Sequence, residues 1–254
     1  LYYSDRLLEF PLGVFGVALS TVILPSLSRK FAKQNPQAFS ATLDWALRLA
    51  TIITLPAALG LAVLASPILI TLFQYEAFEM NDVAMSALSL SAYAAGLPAF
   101  IAVKVLAPGF YARQDTKTPV KIAIIAMVSN MALNLVFVGA LVAMQFKGPH
   151  TGLALASSAA AYINAGLLYR MLRKHGTYQP EPGWSRVALA VVLACAAMVA
   201  VLWWQYGEIG QWADAEAITR ATRLALLIGF GAGVYGMTLL LGGLRSHHRA
   251  TGSS

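Results

Sequence analysis

The sequence predicts an all-α integral membrane protein of seven transmembrane helices with no sizeable soluble domain. Three observations predict it. Hydrophobic residues make up 58% of the chain and charged residues 11%, whereas soluble domains carry roughly 25% charged residues. Seven apolar stretches follow one another with short connections, each near the roughly 20 residues that a helix needs to cross a bilayer. The basic residues gather on alternate connections. Helix is the state these stretches must take, because a bilayer offers the backbone no water and the roughly ten-residue alternation of a barrel is absent.

The stretches are Leu7–Leu27, Leu43–Leu64, Val83–Leu106, Val120–Met144, Gly152–Leu172, Val187–Trp204 and Leu224–Leu244. The first carries charge at its start. The second and third contain Pro56 and Pro98, which read as kinks whose freed carbonyls neighbouring groups must satisfy. Lys104 and Arg113 close the third and reach back to the interface. The fourth carries Asn130 and Asn134 at i,i+4, amides that ordinarily hydrogen-bond a neighbouring helix; a cation site there is the weaker reading. The fifth has a small-residue stripe of Ala156, Ala160 and Asn164. Trp203, Trp204, Tyr206 and Trp212 bracket the end of the sixth and read as an interfacial aromatic anchor. In the seventh, Gly231, Gly233 and Gly236 spell G-x-G-x-x-G. With no preceding strand or βαβ unit this is not a dinucleotide site, and Gly229 and Gly233 read instead as a close-packing GxxxG pair.

Charge orients the array. The segments Ser28–Thr42, Lys104–Lys121, Arg170–Arg186 and Arg245–Ser254, with Arg48, hold 14 of the 18 Lys and Arg residues. The other side has Arg6, Lys147, Arg220 and Arg223, with the acids Glu76, Glu79, Asp82, Glu208, Asp214 and Glu216. By the positive-inside rule the basic side is cytoplasmic, so the chain starts outside and ends inside. The +7 net charge then belongs to topology and anionic headgroups, and nucleic-acid binding is not expected. The chain opens on Leu1 without a basic n-region, so it does not read as a signal peptide; the simplest expectation is a start that is missing. Cys195, the single cysteine, reads as a packed core thiol. The four histidines have no ligand spacing, His247 and His248 read as a solvated tail, and no metal site or cofactor is expected.

The informative constellation is Asp5, Arg6 and Glu9. At about 100° per residue, Tyr2, Asp5, Arg6, Glu9, Gly13, Gly16 and Ser20 share an arc of about 100°, firmest before Pro11. A charge within a span costs roughly 2.5–3.5 kcal/mol, so these three should face a water-filled cavity or each other. One reading is a cavity whose arginine grips an anionic group, since a guanidinium fork suits phosphate. The other is an interfacial cluster snorkelling to headgroups. Spacing alone leaves both open.

Three stretches carry a resemblance: YYSDRLLEFPLGVFGVALSTVILPSLSRKFA, KVLAPGFYARQDTKTPVKIA and LLYRMLRKHGTYQPEPGW. In order and along essentially the whole chain, they resemble the MurJ (MviN) family of lipid II flippases. These belong to the multidrug/oligosaccharidyl-lipid/polysaccharide exporter superfamily, with its MATE-like fold. The resemblance implies that the seven spans match helices eight to fourteen of a fourteen-helix transporter. Residues 1–173 would form a partial C-terminal lobe, 174–186 a cytoplasmic loop, 187–244 two additional C-terminal helices and 245–254 a cytoplasmic tail. It implies flipping of lipid-linked peptidoglycan precursor across the bacterial inner membrane by alternating access, with no bond made or broken, so the protein is a transporter and not an enzyme. Arg6 would contact the pyrophosphate, with Asp5 and Glu9 as charged neighbours, and the last two helices would line a groove for the polyprenyl tail. Some members of the family it resembles have a sodium site involving the eleventh and twelfth helices, the region in which Asn130 and Asn134 would fall, but no carboxylate is present there, which leaves the coupling ion, or coupling to the membrane potential, open. The implied partners are lipid II, membrane lipids, the missing N-terminal lobe and cell-wall synthases. Rival readings are another exporter of the superfamily, for polysaccharide-lipids or drugs, and a non-transporting membrane scaffold. A membrane glycosyltransferase would need an acidic metal motif that the sequence lacks.

Overall fold

The computed structural model describes residues 2–73, 80–146, 148–207 and 209–242. Ten helices and no strands form among the described residues. They are α1 (Tyr2–Ala32), α2 (Pro36–Val63), α3 (Ala65–Phe73), α4 (Met80–Leu106), α5 (Pro108–Tyr111), α6 (Lys117–Ala143), α7 (Thr151–Lys174), α8 (Trp184–Tyr206), α9 (Ile209–Ala213) and α10 (Ala217–Leu241). Seven are long and apolar enough to cross a membrane, α4 running on into α5 as one span. The seven expected spans are all present. The short α3 and α9 were not foreseen, because runs of nine and five residues are too brief to read as helices. Glu76, Glu79, Lys147, Glu208, the end of the seventh span and the tail Arg245–Ser254 lie outside the described residues.

Several helices stop where the sequence carries no ordinary stop signal. Gln34, Gln114 and Gln145 adopt left-handed φ values of 50°, 61° and 52°. The amide of the following residue then bonds back to Lys30, Phe110 and Leu141 at 3.1, 3.1 and 3.0 Å. This closure normally uses glycine, as Gly176 does after α7 at φ 65°. Asn35 restarts the chain by accepting the Ala38 amide at 2.9 Å, with Pro36 in the first helical turn. Asp115 does the same for Thr118 ahead of α6, at 3.0 Å. Its hydrogen bonds with the Thr118 side chain and amide hold its carboxyl below the usual carboxylate range. A lowered native value means that the bond stabilises at neutral pH and is lost as pH falls through that value. Asp115→Ala should therefore speed amide exchange in the first turn of α6 at neutral pH, and the difference from the parent should vanish in acid.

Packing relies on small residues, because lipid gives apolar helices little reason to leave it. Added carbon at Gly96 would collide with the side chain of Ser158 on α7, whose hydroxyl donates to the Ala92 carbonyl at 2.7 Å. Carbon at Gly152 would sit 2.9 Å from the Val138 backbone nitrogen of α6. Between α8 and α10 the close approach is at Gly231, where added carbon would sit 3.0 Å from the Leu202 side chain. The expected pair Gly229 and Gly233 instead faces open space; they point away from α8, and the intervening glycine makes the crossing. Leu27, Leu43, Leu97, Ile101 and Phe110 centre one core among α1, α2, α4, α5 and α7. Leu69, Ile70, Leu90 and Trp212 centre a second, where α3, α4 and α9 meet α8 and α10. Cys195 is buried against Val187 and Val191. Outward, α6 exposes Val128, Met131, Leu135 and Val136, an apolar surface fit for lipid and too large for water.

The aromatic anchor divides. Trp203 and Trp204 are 79% and 83% exposed, but Trp212 is 1% exposed. It is a core residue because α9 folds back, its indole donating to the Tyr206 carbonyl at 3.0 Å while Arg223 stacks on it at 4.6 Å. Arg223 also donates to the Tyr206 carbonyl at 3.3 Å. Arg220 donates to the carbonyls of Ala215 (2.7 Å), Ala213 and Ile70 (3.5 Å). Two of the cations that break the charge bias are thus consumed locally by backbone carbonyls.

Pro56 behaves as expected. Pro56 cannot donate to the Ile52 carbonyl four residues earlier, and the Tyr235 hydroxyl of α10 donates to it instead at 2.6 Å. At Pro98 the carbonyl four residues earlier is that of Ala94, and the Tyr162 hydroxyl donates to the next one, Ala95, at 2.8 Å.

Candidate functional site

The first three turns of α1 carry the charged cluster. Arg6 and Glu9 form an ion pair at 2.9 Å, as their i,i+3 spacing allows. Their side chains remain 59% and 55% exposed, and the Arg6 guanidinium lies 5.3 Å from the Tyr2 ring centre. Asp5 and Glu9, with Leu8 and Leu12, form one wall of a cavity of about 560 Å³. Tyr93 of α4, Asn130 of α6, and Ser157 and Asn164 of α7 supply its other polar groups. Asn134 donates to the Asn130 carbonyl oxygen at 2.8 Å, and the Asn130 amide reaches Ser157 at 3.5 Å. The two asparagines therefore engage each other and α7, as amides between helices do. Among the described residues no group of histidines, cysteines and carboxylates could hold a metal.

The opposite flank of α1 has a different chemistry. Phe10, Pro11, Val14 and Phe15 face α2, α3, α8 and α10 across a groove of about 580 Å³. Ile53, Ile68, Leu202 and Tyr235 are among its other walls. Arg6 belongs to neither lining. Successive residues step about 100° around a helix, which puts Arg6 on the exposed ridge between cavity and groove. The polar arc does not continue as one face. Gly16 is buried, and carbon added there would strike the Lys104 stem beside Ile101 of α4. Past Pro11, within α1, Gly16 serves packing, Gly13 faces open space and the Ser20 hydroxyl donates to the Val17 carbonyl of its own helix.

A second polar centre, at the start of α2, was not singled out by sequence reasoning. Asp44 is 1% exposed. One carboxylate oxygen accepts the Tyr178 hydroxyl at 2.8 Å, the Trp184 indole N–H at 2.7 Å and the Glu181 amide at 3.3 Å. The other accepts Arg48 Nε at 2.7 Å. Arg48 also donates to the Glu181 and Pro182 carbonyls at 3.0 Å each and lies 5.4 Å from the Trp184 ring centre. Ser40 exchanges two hydrogen bonds with the Gln179 backbone. Burial and the neighbouring carboxylate push the Tyr178 phenol far above its ordinary value, so it stays a donor. The whole segment between α7 and α8 is thereby stapled to α2. The available signal was the i,i+4 pair Asp44–Arg48 at the mouth of a span. At the same end, Arg113 donates to the Thr177 hydroxyl, so three of the basic connections meet there.

Together these features define an all-helical integral membrane protein with a polar cavity and an apolar groove on opposite flanks of one helix. A family profile described as Lipid II flippase MurJ matches residues 1–221, and the chain belongs to that family. It is 48% identical over 257 residues to a probable lipid II flippase MurJ of Haemophilus influenzae, covering 99% of this chain and 49% of the relative. A Vibrio cholerae protein described in the same words is 46% identical, covering 96% and 45%. The lipid II flippase MurJ of Burkholderia cenocepacia is 40% identical, covering 94% and 46%. A solved structure of lipid II flippase MurJ in an inward closed conformation superposes with a TM-score of 0.74 at 26% identity, covering 94% of this chain and 45% of the other. The chain spans about half the length of the relatives it matches.

Proposed function

We propose that this chain is the C-terminal half of a lipid II flippase, a transporter that moves lipid-linked peptidoglycan precursor across the bacterial inner membrane by alternating access. The observation that carries the reading is the division of labour around α1: a polar cavity on one flank, an apolar groove on the other, and Arg6 on the ridge between. A substrate with a pyrophosphate between a polar sugar-peptide head and a long polyprenyl tail has this same division. Arg6 would bind the pyrophosphate, its fork exchanging Glu9 for phosphate oxygens, while Asp5 and Glu9 hold it in place between turnovers. The tail would lie in the groove walled by α8 and α10. A partner lobe supplied by the rest of a full-length protein would close the cavity, and residues 1–173 would form the lobe to which the helices of 187–244 are appended. The basic end would face the cytoplasm with the C-terminus. Cell-wall synthases would consume the flipped precursor. Asn130 and Asn134 supply no carboxylate, which argues against a tight sodium site at that pair.

The test is Arg6→Ala in the full-length protein, read by lipid II flipping in liposomes. A charge-assisted hydrogen bond is worth about 1.5–3 kcal/mol, so a loss of about tenfold or more is expected, with partial recovery in Arg6→Lys because a point charge replaces the fork. Full activity in Arg6→Ala would end the assignment.

A further inference from the structure

The α8–α10 hairpin is fastened to the arm formed by α2 and α3 at three heights. At one end Asp44 holds Trp184, the first residue of α8, at 2.7 Å, together with the Tyr178 and Glu181 groups just before it. In mid-span the Tyr235 hydroxyl of α10 is bonded to the Ile52 carbonyl of α2 at 2.6 Å. At the far end Arg220 of α10 reaches the Ile70 carbonyl of α3 at 3.5 Å. The hairpin itself is closed by Gly231 against Leu202 and by Arg223 on the Tyr206 carbonyl. The facing wall of the groove, α1, is tied to α4 at the charged end, where Ser4 donates to the Ser86 carbonyl at 2.8 Å, and, among the described residues, to α2 only at the basic end, where Lys30 reaches Thr42.

We infer that Asp44 is a positioning residue for the apolar groove, fixing the α8–α10 hairpin on α2 so that this wall moves with α2 as one body. These bonds are buried or partly buried, a low-dielectric surrounding strengthens them, and ties at separate heights oppose tilting as well as sliding. The groove then keeps its far wall through any rearrangement of the polar cavity, and a bound tail is not squeezed out when the cavity reopens. That consequence rests on the tail-groove reading above; the rigidity does not.

The experiment uses the full-length protein in lipid nanodiscs, with Cys195 replaced by alanine and nitroxides at the exposed positions Leu59 of α2 and Leu226 of α10. Dipolar EPR should give one narrow distance, unmoved when undecaprenyl pyrophosphate is added. Asp44→Asn turns an acceptor into a donor facing Arg48, and the narrow peak should be lost. Should Asp44→Asn accumulate poorly, the pair Tyr178→Phe and Tyr235→Phe removes one bond at each of two heights and should lose the peak as well. A narrow peak surviving in the variants, or a second distance in the parent on adding undecaprenyl pyrophosphate, would overturn the inference. Flipping is measured on the same samples, so failure of the transport reading shows in activity while the distances report on rigidity alone.

Discussion

Asp44→Ala is expected to cost about 3–5 kcal/mol of stability, the range seen when one partner of a buried pair is removed. The magnitude follows from what is left behind. Arg48, the Tyr178 hydroxyl, the Trp184 indole and the Glu181 amide all lose their shared acceptor at once. Water can reach Arg48, whose side chain is 23% exposed, but not the buried Tyr178. Thermal unfolding in detergent should show the loss, and amide exchange should localise it to residues 176–184 and the first turn of α8. A double-mutant cycle with Tyr178→Phe should be strongly non-additive, since both changes act on one bond. Unchanged stability with unchanged exchange in the connecting segment would remove Asp44 from its place as the organiser of that end.

Gly152→Leu is expected to cost about 3 kcal/mol, the upper part of the usual overpacking range. A β-carbon here meets the Val138 nitrogen at 2.9 Å and the Phe137 carbonyl carbon at 3.0 Å. Both are backbone atoms of α6 and cannot rotate aside, so α6 and α7 must part. The polar cavity takes one wall from each of these helices and should widen with them. Thermal stability and flipping by the full-length variant should fall together. Gly166→Leu on the same helix, where nothing lies within 4 Å, is the matched control and should leave both unchanged.

The spans were legible because hydropathy is a property of composition, and lipid imposes it on every crossing segment. Their ends were less so. A glutamine in the left-handed region carries no compositional mark, so the stops at Gln34, Gln114 and Gln145 were invisible, whereas Gly176 is the ordinary signal. Asp5, Arg6 and Glu9 stood out because three charges in an apolar helix demand an explanation. Asp44 passed unread, and Arg48 counted only toward the basic side, for the opposite reason. Charges near a helix mouth are expected at the interface, and their partners, Tyr178 and Trp184, lie more than 130 residues away. Pairings at that separation are decided by tertiary packing. Trp212 misled likewise: aromatic residues beside a span end usually sit among headgroups, and only the return of α9 turned this one inward.

The bond from Tyr235 to the carbonyl that Pro56 leaves open has a consequence for how the two helices find each other. In an unbroken transmembrane helix every carbonyl is already engaged, and a neighbour can slide along it without polar penalty. A proline interrupts that uniformity at one level and exposes a single acceptor. The tyrosine can satisfy itself there and not one turn higher or lower, so the break works as a register mark cut into α2. Pro56→Ala would mend the helix and erase the mark, leaving a half-buried phenol in search of a partner.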